Sequence, residues 1–394
     1  MTDHAARMAR ILETHPDVVH VGGTTEALIK RDELLMLGAH ADAVHEQARQ
    51  WVDTREDFAE LGVTRLRLRS GAGVDAADLT HTLRGGAGAH RRTSVTPNHV
   101  MQGSPDWSGG PFDDPTPTDD LAAPVGEDGT RRVTVGILDT GIDPHPWFAE
   151  TGWYQACTAA DHEALNPAAE HDMESDSGHG TFIAGVILQH APGTYLRVER
   201  VLGADGVTDE LEVLRGLARI HARAAADADR LDVLNLSLGC FTFDDRPSPV
   251  LADAFARIAR HSVVVAAAGN HSSDRPYWPA ALKDVVAVAA LGEADAAGDY
   301  ERAGFSNYGW WVDAAAPGEK IASSFLTHGW ENGDEFHGYA KWSGTSFAAP
   351  FVAGKIAALM SAKDMTARDA INELLASAGT RIPDLGAVVS SAGR

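Results

Sequence analysis

Basic residues are scarce in this 394-residue chain: 33 Lys and Arg stand against 56 Asp and Glu, giving a net charge of −23 with His neutral. A surface that acidic repels polyphosphate, which argues against sequence-independent nucleic-acid binding. Long apolar runs are also missing. No stretch of about 18 consecutive apolar residues occurs, so no segment reads as spanning a bilayer and no membrane partner is expected. The opening MTDHAARMARILETHPDVVH lacks the apolar centre of a secretory signal and reads as a short amphipathic helix, so a cytoplasmic location is expected. Cysteine is nearly absent. Cys157 and Cys240 cannot build a disulfide framework, and two thiols alone make a poor metal site; two free thiols in the core are expected.

What is present is ordinary globular composition, 44% hydrophobic and 23% charged, in a chain long enough to bury a large core. Pro, Gly and Asp crowd residues 102–130 without apolar periodicity, which marks a linker between residues 1–101 and 131–394. In the first region, Leu34–Gly38 reads as a short strand and Ala41–Val52 as a helix through Val44, Ala48 and Val52. VTRLRLRS (63–70) alternates apolar and basic residues, the signature of a half-buried strand whose Arg65, Arg67 and Arg69 form a solvated face. Asp75–Leu83 reads as a helix and TSVTPNHVM (93–101) as extended. The expected unit is small and α+β, of split βαβ type, with one strand between its two helices.

Beyond the linker the pattern changes. VTVGILD (133–139), LDVLNLSLG (231–239), SVVVAAAGN (262–270) and DVVAVAA (284–290) are continuous apolar runs, as buried parallel strands are. Helical stretches at Gly180–Gln189, Glu210–Ala226 and Val250–Arg260 lie between them. The alternation predicts a doubly wound, mostly parallel sheet flanked by helices, with its ligand site at the carboxyl ends of the strands. Asp139, Gly239 and Asn270 stand at three of those ends.

Four segments carry chemistry-bearing residues. Asp139 closes a buried strand in VGILDTGID, where a carboxylate needs a partner, though an Asp there also caps turns. His179 stands between two glycines in DSGHGTFIAG, which permit close backbone approach. Asn270 leaves a strand of small residues in SVVVAAAGNHSS, a place where Asn is commonly a turn former. Ser346 lies in WSGTSFAAPFVAG; Pro350 suits a helix only in its first turn, which puts Ser346 at a helix N-terminus where N–H groups favour developing negative charge. Each segment alone has a structural reading as a cap or a turn. Together they supply nucleophile, base, orienting carboxylate and amide donor, the parts that acyl transfer needs.

Those motifs resemble the subtilisin family of serine peptidases, in the chain order Asp, His, Ser. The resemblance runs over roughly residues 131–380 and includes Ser237-Leu238-Gly239, PAALKDVVAVAA (279–290), FSNYG (305–309) and AAPG (315–318). It implies a subtilisin-like fold and a serine endopeptidase. Asp139, His179 and Ser346 would form its triad, and Asn270 with the Ser346 N–H its oxyanion donors. Protein or peptide substrate would pair along Ser237, Leu238 and Gly239 and be bounded by Ala268, Gly269 and Tyr277. Phe182 stands where many members have a second His. Tyr277 and Trp278 stand where relatives carry smaller residues, which implies a shallow specificity pocket suited to small or medium side chains. Residues 1–101 resemble the family's prodomain, which implies an intramolecular inhibitor and a latent enzyme opened by a cut or by an activating partner protein. Calcium is a possibility by resemblance, yet no acidic cluster fits a site: Asp205, Asp209 and Glu210 read as a solvated loop and helix start, so no metal and no cofactor are expected.

Two rivals are weighed against this reading. Asp139-Thr140-Gly141 and Asp176-Ser177-Gly178 both fit an aspartic-peptidase motif, but only the first follows an apolar strand. A non-catalytic or regulatory binding module keeping the protease fold is the other, and the presence of all four functional residues argues against it.

Overall fold

In this computed structural model the described residues are 3–22, 27–85, 94–103, 114–125, 131–163, 174–227, 229–296, 298–327 and 335–390. In the first region the elements are α1 (Asp3–Thr14), β1 (Val18–Val21), β2 (Ala27–Leu37), α2 (Ala41–Ala48), β3 (Val52–Phe58), β4 (Val63–Leu68), α3 (Ala76–Gly85) and β5 (Val95–Gln102). Next come β6 (Thr116–Pro117), β7 (Thr134–Asp139), α4 (Gly152–Gln155), α5 (His179–His190), β8 (Tyr195–Arg200), β9 (Val207–Asp209), α6 (Glu210–Ala226) and β10 (Val233–Leu236). The chain continues through α7 (Pro249–Ile258), β11 (Val263–Ala267), β12 (Val285–Leu291), β13 (Ala314–Pro317), β14 (Ile321–Ser324), β15 (Tyr339–Trp342), α8 (Thr345–Lys363), α9 (Ala367–Ala376), β16 (Arg381–Ile382) and β17 (Gly386–Val388).

The continuous apolar runs become the centre of an eight-stranded sheet, ordered β16-β17-β13-β12-β11-β10-β7-β8 and parallel from β17 to β8. Both faces of these strands are buried, which is why they carry no polar alternation. Helices α5, α8 and α9 close one face over a core that includes Val135, Ile137, Ile183, Val265 and Val352. Helices α6 and α7 close the other over Leu138, Leu214, Leu234, Phe255 and Val264. The strand order reverses at β7, between β8 and β10, so Asp139 lies at the switch point where such sheets open a crevice. Helix α8 is the one described helix long and apolar enough to cross a membrane, and most of it is buried in this core.

Residues of the first region form an antiparallel sheet ordered β3-β4-β2-β5-β9, with β1 added to β2. Two strands, not one, separate α2 from α3. Strand β3 escapes the sequence reading because it is an edge strand whose five inner residues, Asp53–Asp57, are all exposed, so no apolar alternation marks it. The basic residues of β4 form ion pairs: Arg65 with Glu33 and Glu56, and Arg67 with Glu33. The last strand, β9, belongs in sequence to the second region, so the two regions share one sheet. Helix α1 lies over that junction, where Met8, Ile11 and Leu12 pack with Val18, Leu28, Val100 and Val207. His15 pairs with Asp205 at 2.7 Å beneath the helix end.

Glu210 is not solvated, contrary to the sequence expectation. Its carboxylate is fully buried, accepting from His99 Nδ1 (2.7 Å) on β5 and from Ser248 Oγ (2.7 Å) at the start of α7. The partner that makes this burial tolerable lies 111 residues away in sequence. Asp209 is the cap that its place suggests, its carboxylate accepting from Glu212 N–H (3.0 Å). Cys240 is buried and Cys157 half-buried, both as free thiols.

Candidate active site

Strand β7 delivers Asp139 fully buried to the crevice, and Oδ1 accepts from the Thr140 backbone N–H (2.9 Å) and from His179 Nδ1 (2.7 Å). A carboxylate has no proton to offer, so Nδ1 carries the hydrogen and Nε2 is the basic nitrogen of the neutral ring. His179 opens α5 and is itself fully buried, between Trp342 and Phe347, whose ring centroids lie 5.4 and 5.5 Å away. The flanking glycines serve internal packing. Gly178 holds φ +84°, the left-handed conformation that begins the helix, and a Cβ on Gly180 would collide with the Gly141 carbonyl in the loop that follows Asp139. Thr140 Oγ1 accepts from Gly180 N–H (3.0 Å), so the two loops are stitched together directly at the Asp–His pair.

Glu163 braces the same place and escapes the sequence reading. Its Oε1 accepts from Gly178 N–H (2.7 Å), one residue before His179, and burial pushes its carboxyl well above the usual range. Only its burial could have flagged it, and nothing in the surrounding sequence signals that.

Ser346 is the second residue of α8, fully buried at the helix N-terminus, as Pro350 implied for a different reason. Pro350 falls in the second turn, not the first. There it lacks the N–H that would bond the Ser346 carbonyl, and that carbonyl accepts instead from Ser237 Oγ at 2.7 Å. The substitution of a side-chain donor for the missing backbone donor explains how the helix tolerates Pro350. Ser237 thereby ties the segment after β10 to the turn that carries Ser346.

Asn270 is held by the same turn. Its Oδ1 accepts from Thr345 N–H and Thr345 Oγ1, both at 2.9 Å, which leaves the amide Nδ2 pointing the other way as a donor. Gly269, at φ +94°, donates its N–H to Thr345 Oγ1 (3.0 Å). Asn307 of FSNYG props the loop from behind: Nδ2 donates to the Ala268 carbonyl (2.8 Å), and Oδ1 accepts from His271 (2.9 Å) and Ser273 (3.1 Å) backbone N–H groups. Leu238 is buried in the core and Tyr277 is buried against Gly239 and Gly269.

A peptide strand already lies in the crevice. Gln102, at the end of β5, exchanges both backbone hydrogen bonds with Gly239 (2.8 and 2.9 Å). On its other edge β5 pairs with β9 through Val100–Asp209, Met101–Thr208 and Gln102–Val207, and Gly103 N–H donates to the Gly206 carbonyl (2.9 Å). Ser346 Oγ donates to the Gly103 carbonyl at 3.1 Å, with the Ser237 carbonyl at 3.5 Å. Of the edge named from sequence, Gly239 is the residue that pairs with Gln102. The second edge, Gly206–Asp209, was not identified from sequence, whereas the occupant, Val100–Gly103, is the end of the segment 93–101 read there as extended and running on into the cleft. Among the described residues no group of three or more His, Cys, Asp or Glu side chains is arranged to hold a metal.

A family model described as the subtilase family matches residues 130–388. The minor extracellular protease Epr of Bacillus subtilis is 31% identical over 240 residues, covering 58% of this chain and 32% of that protein. The thermophilic serine proteinase of Bacillus sp. strain AK1 is 32% identical over 245 residues, covering 59% and 53% respectively. The chain thus aligns with between a third and about half of these relatives' length. Among solved structures, fervidolysin from Fervidobacterium pennivorans, a keratinolytic enzyme related to subtilisin, matches with a TM-score of 0.60 at 18% identity. That likeness in fold covers 92% of this chain and 60% of the other, so it reaches well beyond residues 130–388 into the first region.

Proposed function

This chain belongs to the subtilase family, and on that premise we propose that it is a serine endopeptidase, latent while its own β5 strand fills the cleft. One observation supports the reading: Ser346 Oγ is bonded to a peptide carbonyl, and the next residue, Phe347, packs against the ring of His179, which is paired with Asp139.

Ser346 Oγ attacks the substrate carbonyl carbon while His179 Nε2 takes its proton. Asp139 holds the ring in the Nδ1–H tautomer and stabilises the imidazolium as it forms. Charge developing on the carbonyl oxygen is met by the Asn270 amide and the Ser346 N–H, the latter at the helix N-terminus. His179 then returns its proton to the leaving amine, and water repeats the sequence on the ester to free the acid. These steps draw only on side chains and backbone groups of this chain. Residues 1–101 act in this reading as the intramolecular inhibitor: β5 occupies both edges on which a protein or peptide substrate would pair. Displacement or a cut behind Gly103, with or without an activating partner protein, opens the site.

The test is intact mass of the wild type and of Ser346→Ala, with and without a fluorophosphonate. Addition of the probe mass to the wild type alone is expected, along with a cut close to Gly103 that the variant lacks. Asn270→Ala should lower kcat by on the order of 10²–10³ with KM little changed. Probe addition to both proteins, or to neither, would overturn the assignment of Ser346; unchanged kcat would overturn that of Asn270.

A further inference from the structure

The two glycines that flank His179 are each held by a side chain. Gly180 N–H donates to Thr140 Oγ1 at 3.0 Å, and Gly178 N–H donates to Glu163 Oε1 at 2.7 Å. Thr140 belongs to the loop that follows Asp139. Residues 161–163 press on that same loop with their backbone: Ile142 N–H donates to the Asp161 carbonyl (3.1 Å), and a Cβ on Gly141 would stand 2.8 Å from both the Asp161 carbonyl oxygen and the Glu163 nitrogen. One short segment thus leans on the loop of Asp139 with its backbone and on the turn of His179 with a side chain. Gly178 has no side chain of its own and holds φ +84°, so the direction in which His179 leaves the turn depends on what grips the peptide before it.

The surroundings of Glu163 decide the form in which it does this. The residue is buried, Oε1 has one donor in Gly178, and Oε2 is buried with no hydrogen-bond partner among the described residues. A carboxylate in the interior is ordinarily sustained by two or three donors or by a cation. Here the neighbouring charges work the other way. Asp139 comes from β7 and Asp143 from the loop beyond it, and both oppose a charge on Glu163. In the turn that opens α5 stand Asp176, fully buried, and His179, whose Nδ1 is already committed to Asp139 (2.7 Å). On Glu163's own segment, Asp161 is paired with Arg223 of α6 (2.6 Å), and His162 Nδ1 donates to the Ile142 carbonyl (2.9 Å). Burial first, then Asp143 and Asp139, push the Glu163 carboxyl well above its usual range, and the Gly178 N–H offsets this in part.

We propose that Glu163 is a positioning residue for His179 and that it works with its proton in place, as a neutral brace. The proposal rests on the peptidase reading above and concerns the same site. The C=O of a protonated carboxyl accepts from Gly178 N–H without bringing a second negative charge to the base. The imidazolium that forms during turnover is then answered by Asp139. A charge on Glu163 would instead hold His179 protonated to higher pH and withhold the base.

The test compares the full chain with Glu163→Gln, which accepts as a neutral carboxyl does, and with Glu163→Met, which fills similar space and cannot accept. The first reading is the rate of fluorophosphonate labelling from about pH 5 to 9, taken as the ratio of variant to wild type at each pH so that the opening of β5 cancels. At pH 7 Glu163→Gln should stay within about threefold of wild type, and Glu163→Met should label at least about tenfold more slowly. The acid limb, where His179 takes up its proton, should have the same midpoint in wild type and Glu163→Gln. The second reading is urea unfolding from about pH 5 to 8 on the Ser346→Ala background. Between the ordinary glutamate value and the raised one, the folded chain holds a proton that the unfolded chain has released, so stability falls as pH rises through that window. Wild type should therefore lose more stability than Glu163→Gln over this range; His145 titrates alike in both and cancels. A midpoint that moves down in Glu163→Gln, or equal losses in urea, would mean an ionised Glu163 and overturn the proposal. Labelling at the wild-type rate by a folded Glu163→Met overturns the positioning role; if that variant does not fold, Glu163→Asp, one carbon short of Gly178 N–H, takes its place with the same expected loss. Each of these outcomes leaves a labelled wild type, and the peptidase reading, standing. Absence of labelling in every protein overturns the peptidase reading and this proposal with it.

Discussion

Pro350 and Ser237 should behave as a coupled pair although they are 113 residues apart in sequence. Pro350 cannot donate to the Ser346 carbonyl, and Ser237 Oγ replaces that donor at 2.7 Å in a fully buried setting. Ser237→Ala removes the donor with little change in volume. A buried acceptor left unpaired costs about 1–3 kcal/mol. Asn235 Nδ2, which bonds Ser237 Oγ at 3.0 Å, loses its acceptor as well, so a total of about 2–4 kcal/mol is expected. Pro350→Ala restores an N–H four residues after Ser346, in the position from which helices ordinarily pair that carbonyl. In the Pro350→Ala background Ser237→Ala should therefore cost about 1–2 kcal/mol, only the share that belongs to Asn235. The assay is urea unfolding of all four proteins at pH 7, built on Ser346→Ala so that self-digestion cannot distort the curves. Ser346→Ala leaves the carbonyl in place. A double-mutant cycle whose effects add to within about 0.5 kcal/mol would refute the reasoning, because it would mean that Ser237 does nothing for the carbonyl that Pro350 leaves behind.

Two further outcomes follow. Glu210→Ala leaves His99 Nδ1–H buried without its acceptor, so the grip of β5 should weaken by about 2–4 kcal/mol; fluorophosphonate labelling of the full chain should speed up more than tenfold, and an unchanged rate counts against the pair as an anchor. Burial pushes His145 down to about 4, and its contacts suit a neutral ring, with Nδ1 accepting from Trp147 N–H (3.2 Å) and Nε2 donating to the Gly338 carbonyl (2.9 Å). Between the ordinary histidine value near 6.5 and about 4 the unfolded chain binds a proton that the folded chain does not, so stability falls as pH is lowered through that window, by about 2–3 kcal/mol in all. Urea unfolding at pH 7 and pH 4.5 should show a steeper loss for the wild type than for His145→Asn; equal losses would assign the effect elsewhere.

How much of this was legible in the sequence depended on where each signal lived. Strands β7, β10, β11 and β12 announce themselves because burial on both faces demands unbroken apolar runs, and their order with the helices between them implies the sheet. Strand β3 hides because an edge strand with one solvated stretch of five charged and polar residues has nothing to alternate with. Asp139, His179, Asn270 and Ser346 stand out through motifs, since each needs small neighbours to be approached. Their supports do not. Glu163, Asn307 and Ser237 act through backbone groups of distant segments, and such partners are set by tertiary packing that no local spacing encodes. Glu210 misleads for the same reason: a charged residue opening a helix looks solvated until His99 arrives from the other region. Pro350 gave the right place for Ser346 through the wrong turn, because a side-chain donor can stand in for a backbone one.

The two-edged seat of β5 has a consequence in mass action. A segment tethered to the cleft it fills presents itself at an effective concentration of order millimolar, whatever the protein concentration. A free peptide at micromolar levels competes against it at roughly a thousandfold disadvantage, even with identical contacts to Gly239 and β9. Severing the chain behind Gly103 changes none of those contacts. It removes the tether, and from then on dilution acts on the strand as it acts on any other ligand.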